Sequence, residues 1–60
     1  MGFKIGDTVT LLWDDTPENQ GIIGKKVRVV RQPDGGSPFW MDVELDGVGY
    51  SVRGSDCRKG

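Results

Sequence analysis

Apolar and polar residues alternate over short stretches of this chain, and glycine, proline or Asp-Gly steps interrupt the alternation about every ten residues. That spacing predicts an all-β domain of short strands. No window keeps apolar residues at i, i+3, i+4 and i+7 without meeting Gly or Pro, so no amphipathic helix is predicted. The first strand is expected over Thr8–Trp13, with Val9, Leu11 and Trp13 on one face, since strand side chains alternate. Asp14–Gln20 is polar, carries Pro17, and reads as a long solvated loop. Gly21–Arg31 follows as a longer strand, bent or bulged at Gly24, with Val27 and Val29 sharing a face. Gln32–Pro38 is a turn-rich connection.

The strongest local signal lies in Phe39–Arg53. Asp46-Gly47 suits a two-residue turn that needs positive φ at both positions. Such a turn sets Leu45 opposite Val48, Val43 opposite Tyr50 and Met41 opposite Val52. The other face then receives Glu44–Gly49, Asp42–Ser51 and Trp40–Arg53. A slip of one residue would scramble this sorting of apolar from polar, so turn and alternation agree. Gly54-Ser55-Asp56 reads as a single turn and Cys57–Lys59 as a closing strand. The predicted core is Met41, Val43, Leu45, Val48, Tyr50 and Val52 packed on Val9, Leu11, Val27 and Val29.

Composition narrows what such a fold can do. With 60 residues and 35% apolar content, the chain buries roughly 60% of its extended surface. That supports one small core and no deep enclosed pocket. There is no histidine and one cysteine, which excludes an internal disulfide, the usual zinc sites and imidazole-based catalysis. No apolar run reaches the ~20 residues of a membrane span, and residues 1–15 lack the layout of a signal peptide. A lone thiol fits the reducing cytoplasm. No cofactor, metal or catalytic constellation is expected. Asp14, Asp15 and Glu18 match no calcium loop, and Cys57 reads as a buried thiol whose pKa Arg58 and Lys59 pull down somewhat.

The formal charge of −1 is blocked along the chain. Residues 1–24 sum to −3 (Lys4 against Asp7, Asp14, Asp15 and Glu18), residues 25–31 to +4, residues 34–46 to −4, and the tail from Arg53 to +2. Two readings stay open: oppositely charged strands lie side by side and neutralise each other, or a basic patch meets an acidic partner.

Phe3-Lys4-Ile5-Gly6-Asp7-Thr8-Val9 resembles the x-x-G-D-x-V opening of bacterial and phage SH3-like and KOW-type domains. Gly21-Ile22-Ile23-Gly24 with Val27 looks like their second strand, and Val52-Arg53-Gly54-Ser55-Asp56 like the turn before their last. The resemblance implies a small five-stranded SH3-like barrel with a long polar loop after the first strand and a tight Asp-Gly hairpin. Where signalling SH3 domains carry Ala-Leu-Tyr-Asp-Tyr, this chain has Val9-Thr10-Leu11-Leu12-Trp13-Asp14, without tyrosine. Tyr50-Ser51-Val52-Arg53 departs from the Val-Gln-Ile-Tyr strand of the plasmid-type dihydrofolate reductases, which are also small SH3-like barrels. The basic excess of KOW domains is missing.

The hairpin register sets Trp40 on the outer face, across from Arg53. It is either a recognition aromatic or a residue stacked on Arg53 or tucked under the 14–20 loop. Trp13, in phase with Val9 and Leu11, is expected at the edge of the core, partly wet in a barrel this small. Trp40 and Arg53, with the basic strand at Arg28 and Arg31 beside them and Trp13 behind, are the expected partner-binding residues. The expected function is a non-catalytic protein-binding module of regulatory, adaptor or inhibitor type, monomeric or dimerised through an open edge at 57–60. The alternative is a KOW-like or cold-shock-like nucleic-acid binder, in which Lys25, Lys26, Arg28 and Arg31 grip phosphates and Trp40 or Phe39 stacks a base.

Overall fold

The computed structural model describes residues 2–33 and 39–60. Five antiparallel strands form one sheet: β1 (Thr8–Leu11), β2 (Lys26–Arg31), β3 (Trp40–Leu45), β4 (Val48–Arg53) and β5 (Cys57–Lys59). Their order across the sheet is β4-β3-β2-β1-β5. Two short 3-10 segments complete the described elements, Pro17–Ile22 between β1 and β2 and Gly54–Asp56 between β4 and β5.

The curvature of the sheet follows from one short connection. Laid flat, strands about 4.8 Å apart would put the two outer strands about 19 Å from each other. Yet β4 ends at Arg53 and β5 begins at Cys57, and four residue steps reach at most about 14 Å fully extended. The sheet therefore rolls toward a barrel, without closing. Cys57 Sγ donates to the Arg53 carbonyl at 3.6 Å across this seam.

The hairpin has the predicted register at all six pairs, from Leu45↔Val48 to Trp40↔Arg53. Asp46 (φ 53°) and Gly47 (φ 80°) both occupy the left-handed region that the tight turn requires. The Gly6-Asp7 opening is a turn as well. Gly6 has φ 96°, and Asp7 Oδ2 accepts the Lys4 N–H at 2.9 Å while its side chain pairs with Lys59 at 3.5 Å.

Three segment expectations need correction. β1 stops at Leu11, not Trp13. Asp14–Gln20 is no solvated loop, because Pro17 starts a 3-10 segment whose Asn19 and Ile22 are buried. The second strand begins at Lys26 rather than Gly21, since residues 21–22 belong to that segment and Gly24 (φ 82°) completes the turn out of it. The irregularity in β2 lies between Val29 and Arg31, where Val30 is the extra residue. Within the expected Gln32–Pro38 turn, residues 34–38 lie outside the described residues.

The core contains Val9, Leu11, Val27, Val29, Met41, Val43 and Val52 as expected, with Leu45 and Tyr50 packed at its margin. Val48 is not part of it. At the hairpin tip it overhangs the rolled sheet and stays 52% exposed. Phe3, Ile22 and Cys57 join the core instead, brought in by the chain before β1, the 3-10 segment after it, and the closing strand. Cys57 is the buried thiol expected of the closing strand, while Phe3 and Ile22 fill space that strand alternation does not assign.

Candidate functional site

Strand register brings two of the expected site residues together. Trp40 and Arg53 form a cross-strand pair on the outer face of the hairpin. Trp13 joins them from the far end of β1. The Arg53 guanidinium carbon lies 5.4 Å from the Trp13 ring centroid and 5.7 Å from that of Trp40, both within cation–π range. The three side chains make a surface ladder of tryptophan, arginine and tryptophan.

Trp13 is thus not a core-edge residue. It is 54% exposed, more than Trp40 at 39%. The alternation that put it in phase with Leu11 ends with the strand, and the chain then turns so that Asp14 goes inward in its place. Asp14 is 3% exposed. Its Oδ1 accepts the Thr16 N–H at 2.7 Å, and its Oδ2 accepts the Asn19 amide at 3.1 Å. The same Asn19 Nδ2 donates to the Ser51 carbonyl of β4 at 2.9 Å. One amide therefore ties the β1–β2 connection to the opposite edge strand, and a buried carboxylate orients it. Gln20 adds a bond to the Asp14 carbonyl at 2.7 Å.

Burial pushes the Asp14 carboxyl up, but bonds from Thr16 and Asn19 and the charge of Arg53 outweigh it, and its pKa falls below the ordinary value. A carboxylate with a lowered folded pKa stabilises the fold above its unfolded value and loses that contribution as pH falls through the folded one. The Asp14→Asn variant should accordingly lose about 1–3 kcal/mol at pH 7, because an amide has one accepting oxygen where the carboxylate uses two, and its NH2 would face either the Thr16 N–H or the Asn19 amide donor to donor. The gap to the parent should narrow as pH drops below about 4. Urea titrations of both proteins between pH 7 and 3 check this, and parallel acid limbs would refute it.

Arg53 is one-fifth exposed and its charge is matched locally. Nη2 donates to Asp15 Oδ1 at 2.8 Å. Nε lies 3.0 Å from Asp56 Oδ2 as an ion pair, though its N–H is not directed at that oxygen. Burial alone would lower the arginine pKa, and the bond to Asp15 with the charges of Asp15, Asp56 and Asp14 raises it. The guanidinium is thus a permanent, neutralised spacer between two indoles. The surface it builds is aromatic with an acidic rim.

Arg28 and Arg31 are not in the ladder. They stand on β2 opposite Glu44 and Asp42 of β3, at 3.6 and 2.8 Å. For these two arginines, neighbouring strands of opposite charge neutralise each other. Cys57 is buried, and its thiol is pushed up to about 11 by burial, then by the charges of Asp56 and Asp14. The expected lowering by Arg58 and Lys59 does not occur: Arg58 points to the other face of the strand, and the Lys59 ammonium pairs with Asp7. Neutral and shielded, this thiol is a poor nucleophile at physiological pH.

Among the described residues no group of three or more Cys, Asp or Glu is placed to hold a metal ion, and no helix is long and apolar enough to cross a membrane. The sequence signal for the Asp14 turn was present, since an Asx residue two before a bonded N–H and three before Pro17 is a common chain reversal. Nothing local pointed to Asn19, whose partner in β4 is 32 positions away. No protein family, curated protein or solved structure matches this chain.

Proposed function

We propose that this chain is a non-catalytic protein-binding module of SH3-like type that docks a cytoplasmic partner on the Trp13–Arg53–Trp40 ladder. The observation that carries the reading is the exposure of two tryptophans on either side of an arginine whose charge is already matched. Large aromatics held rigid at a surface lose little entropy on binding and dominate contact energies. The acidic rim of Asp15 and Asp56 favours a partner that offers apolar side chains with basic ones beside them. A nucleic-acid reading is weaker, because the ladder's rim is acidic and, on β2, phosphates would have to displace Glu44 and Asp42 from Arg28 and Arg31.

Replacing either tryptophan by alanine should weaken partner binding by about 2 kcal/mol or more, roughly thirty-fold. Each variant should keep its melting temperature within a few degrees, since both rings are substantially exposed. Trp13→Ala is here expected to spare the fold, against what its phase with Leu11 implied. The assay is capture from a cytosolic lysate with and without nuclease, followed by affinity and melting measurements for both variants. A nuclease-sensitive catch, or one that loses affinity steeply with salt, would overturn the protein-binding reading in favour of nucleic acid.

A further inference from the structure

The two outer strands are guarded very differently. β5 has three residues, two of them the cations Arg58 and Lys59, a common way to blunt an edge. β4 has six residues, and its one cation, Arg53, is paired with Asp15 and Asp56. In a two-residue hairpin the pair flanking the turn is the hydrogen-bonded one, so Val48, Tyr50 and Val52 bond to β3. Gly49, Ser51 and Arg53 therefore direct their N–H and C=O groups away from the sheet. The Ser51 carbonyl accepts from Asn19, and the Arg53 carbonyl accepts from Cys57 Sγ, as this parity requires. Among the described residues, the Gly49 N–H and C=O and the Ser51 N–H have no backbone partner. Beside them lies a cleft of about 330 Å³ lined by Thr16, Glu18, Asn19, Gly49, Tyr50 and Ser51.

We infer that this edge receives an extended, lysine- or arginine-bearing segment of a partner protein as a further strand. Strand addition needs open backbone groups and room for alternate side chains, and the β4 edge beside the cleft offers three such groups, on Gly49 and Ser51, with the cleft next to them. Gly49 carries no side chain that could fold over the edge. Electrostatics selects the occupant. Glu18 is the one carboxylate in the lining, the Asp14 carboxylate lies behind Asn19, and Asp46 stands at the adjoining hairpin tip. A second copy of this chain pairing edge to edge would set Glu18 against Glu18, whereas a basic segment meets opposite charge. The surface involves neither tryptophan and goes beyond the function proposed above.

The test is a nitrogen-15 NMR titration of the full chain with an acetylated, amidated hexapeptide of alternating lysine and valine. Amide shifts centred on Gly49 and Ser51 are expected, with slowed hydrogen exchange at both. Glu18→Gln should weaken binding several-fold at low salt, and an alternating glutamate–valine peptide should bind more weakly than the basic one. A peptide N-methylated along one edge should lose binding by at least ten-fold. No shift at these amides at millimolar peptide, equal binding by the N-methylated or acidic peptide, or a concentration-dependent dimer that protects the same amides without peptide would each overturn the inference.

Discussion

Leu11→Ala is expected to cost about 2–5 kcal/mol of folding stability, whereas Leu12→Ala next to it should cost less than about 0.5. Leu11 is among the largest side chains that are fully buried, and Leu12 is 52% exposed. The two are adjacent and of the same residue type, so the contrast isolates which side chain the end of β1 turns inward. A domain of this length has a total of roughly 3–9 kcal/mol to lose, so Leu11→Ala should stand near the unfolding threshold at room temperature. Urea denaturation measures both variants, with an unchanged m-value for Leu12→Ala. A larger loss at Leu12 than at Leu11 would mean that the chain here turns its other face to the core, and equal losses would mean that neither side chain is singled out by burial.

Gly54→Ala is expected to lose about 1–3 kcal/mol, in the range of forced overpacking, or roughly 4–8 °C of melting temperature per kcal/mol in a domain this small. A Cβ on Gly54 would lie 2.9 Å from the Phe39 carbonyl oxygen and 3.3 Å from the Phe39 Cβ. That carbonyl accepts the Gly54 N–H at 2.8 Å, and Phe39 is already held at φ 64°, so the backbone there has little freedom to retreat. Gly21→Ala is the comparison. Its Cβ would meet nothing within 4 Å and its φ is not in the left-handed region, so it should be neutral or stabilise by up to about 1 kcal/mol through the unfolded state. Melting curves of the two variants decide the matter, and a Gly54→Ala protein as stable as its parent would mean that the junction of β3 with the 3-10 turn is looser than described.

What could be read from the sequence tracks how many independent constraints act on each residue. The β3–β4 hairpin is held by a turn that demands two positive φ angles and by an alternation that fails under any slip, and its register stood at every pair. Trp40 facing Arg53 followed from that register. Trp13 had only phase to place it, and phase means nothing beyond the last residue of a strand. The inward turn at Asp14 was decided by hydrogen bonds to Thr16 and Asn19, of which the second also depends on β4. Val48 kept perfect alternation and still lay outside, because alternation assigns a face but not how far the core extends along it. Phe3 and Ile22 entered the core from segments with no strand pattern at all. The ladder was thus two-thirds predictable as a contact: the pair within one hairpin was legible, and the third member, brought by a strand three places away in the sheet, was not.

The seam between β1 and β5 has a kinetic meaning. The Thr10 hydroxyl donates to the Gly60 carbonyl across 50 sequence positions, and closing a loop of that length costs roughly 3.5 kcal/mol of chain entropy. The hairpin, with two residues in its turn, bears almost none of this and can form in about 1–10 μs. Sheets dominated by such distant pairings assemble far more slowly, in about milliseconds to seconds. Trp40 and Arg53 meet as soon as the hairpin exists, whereas Trp13 reaches them only when β1 has been sealed into the sheet. The complete aromatic ladder is therefore a late product of folding, and a partner that needs all three residues meets only chains that have finished.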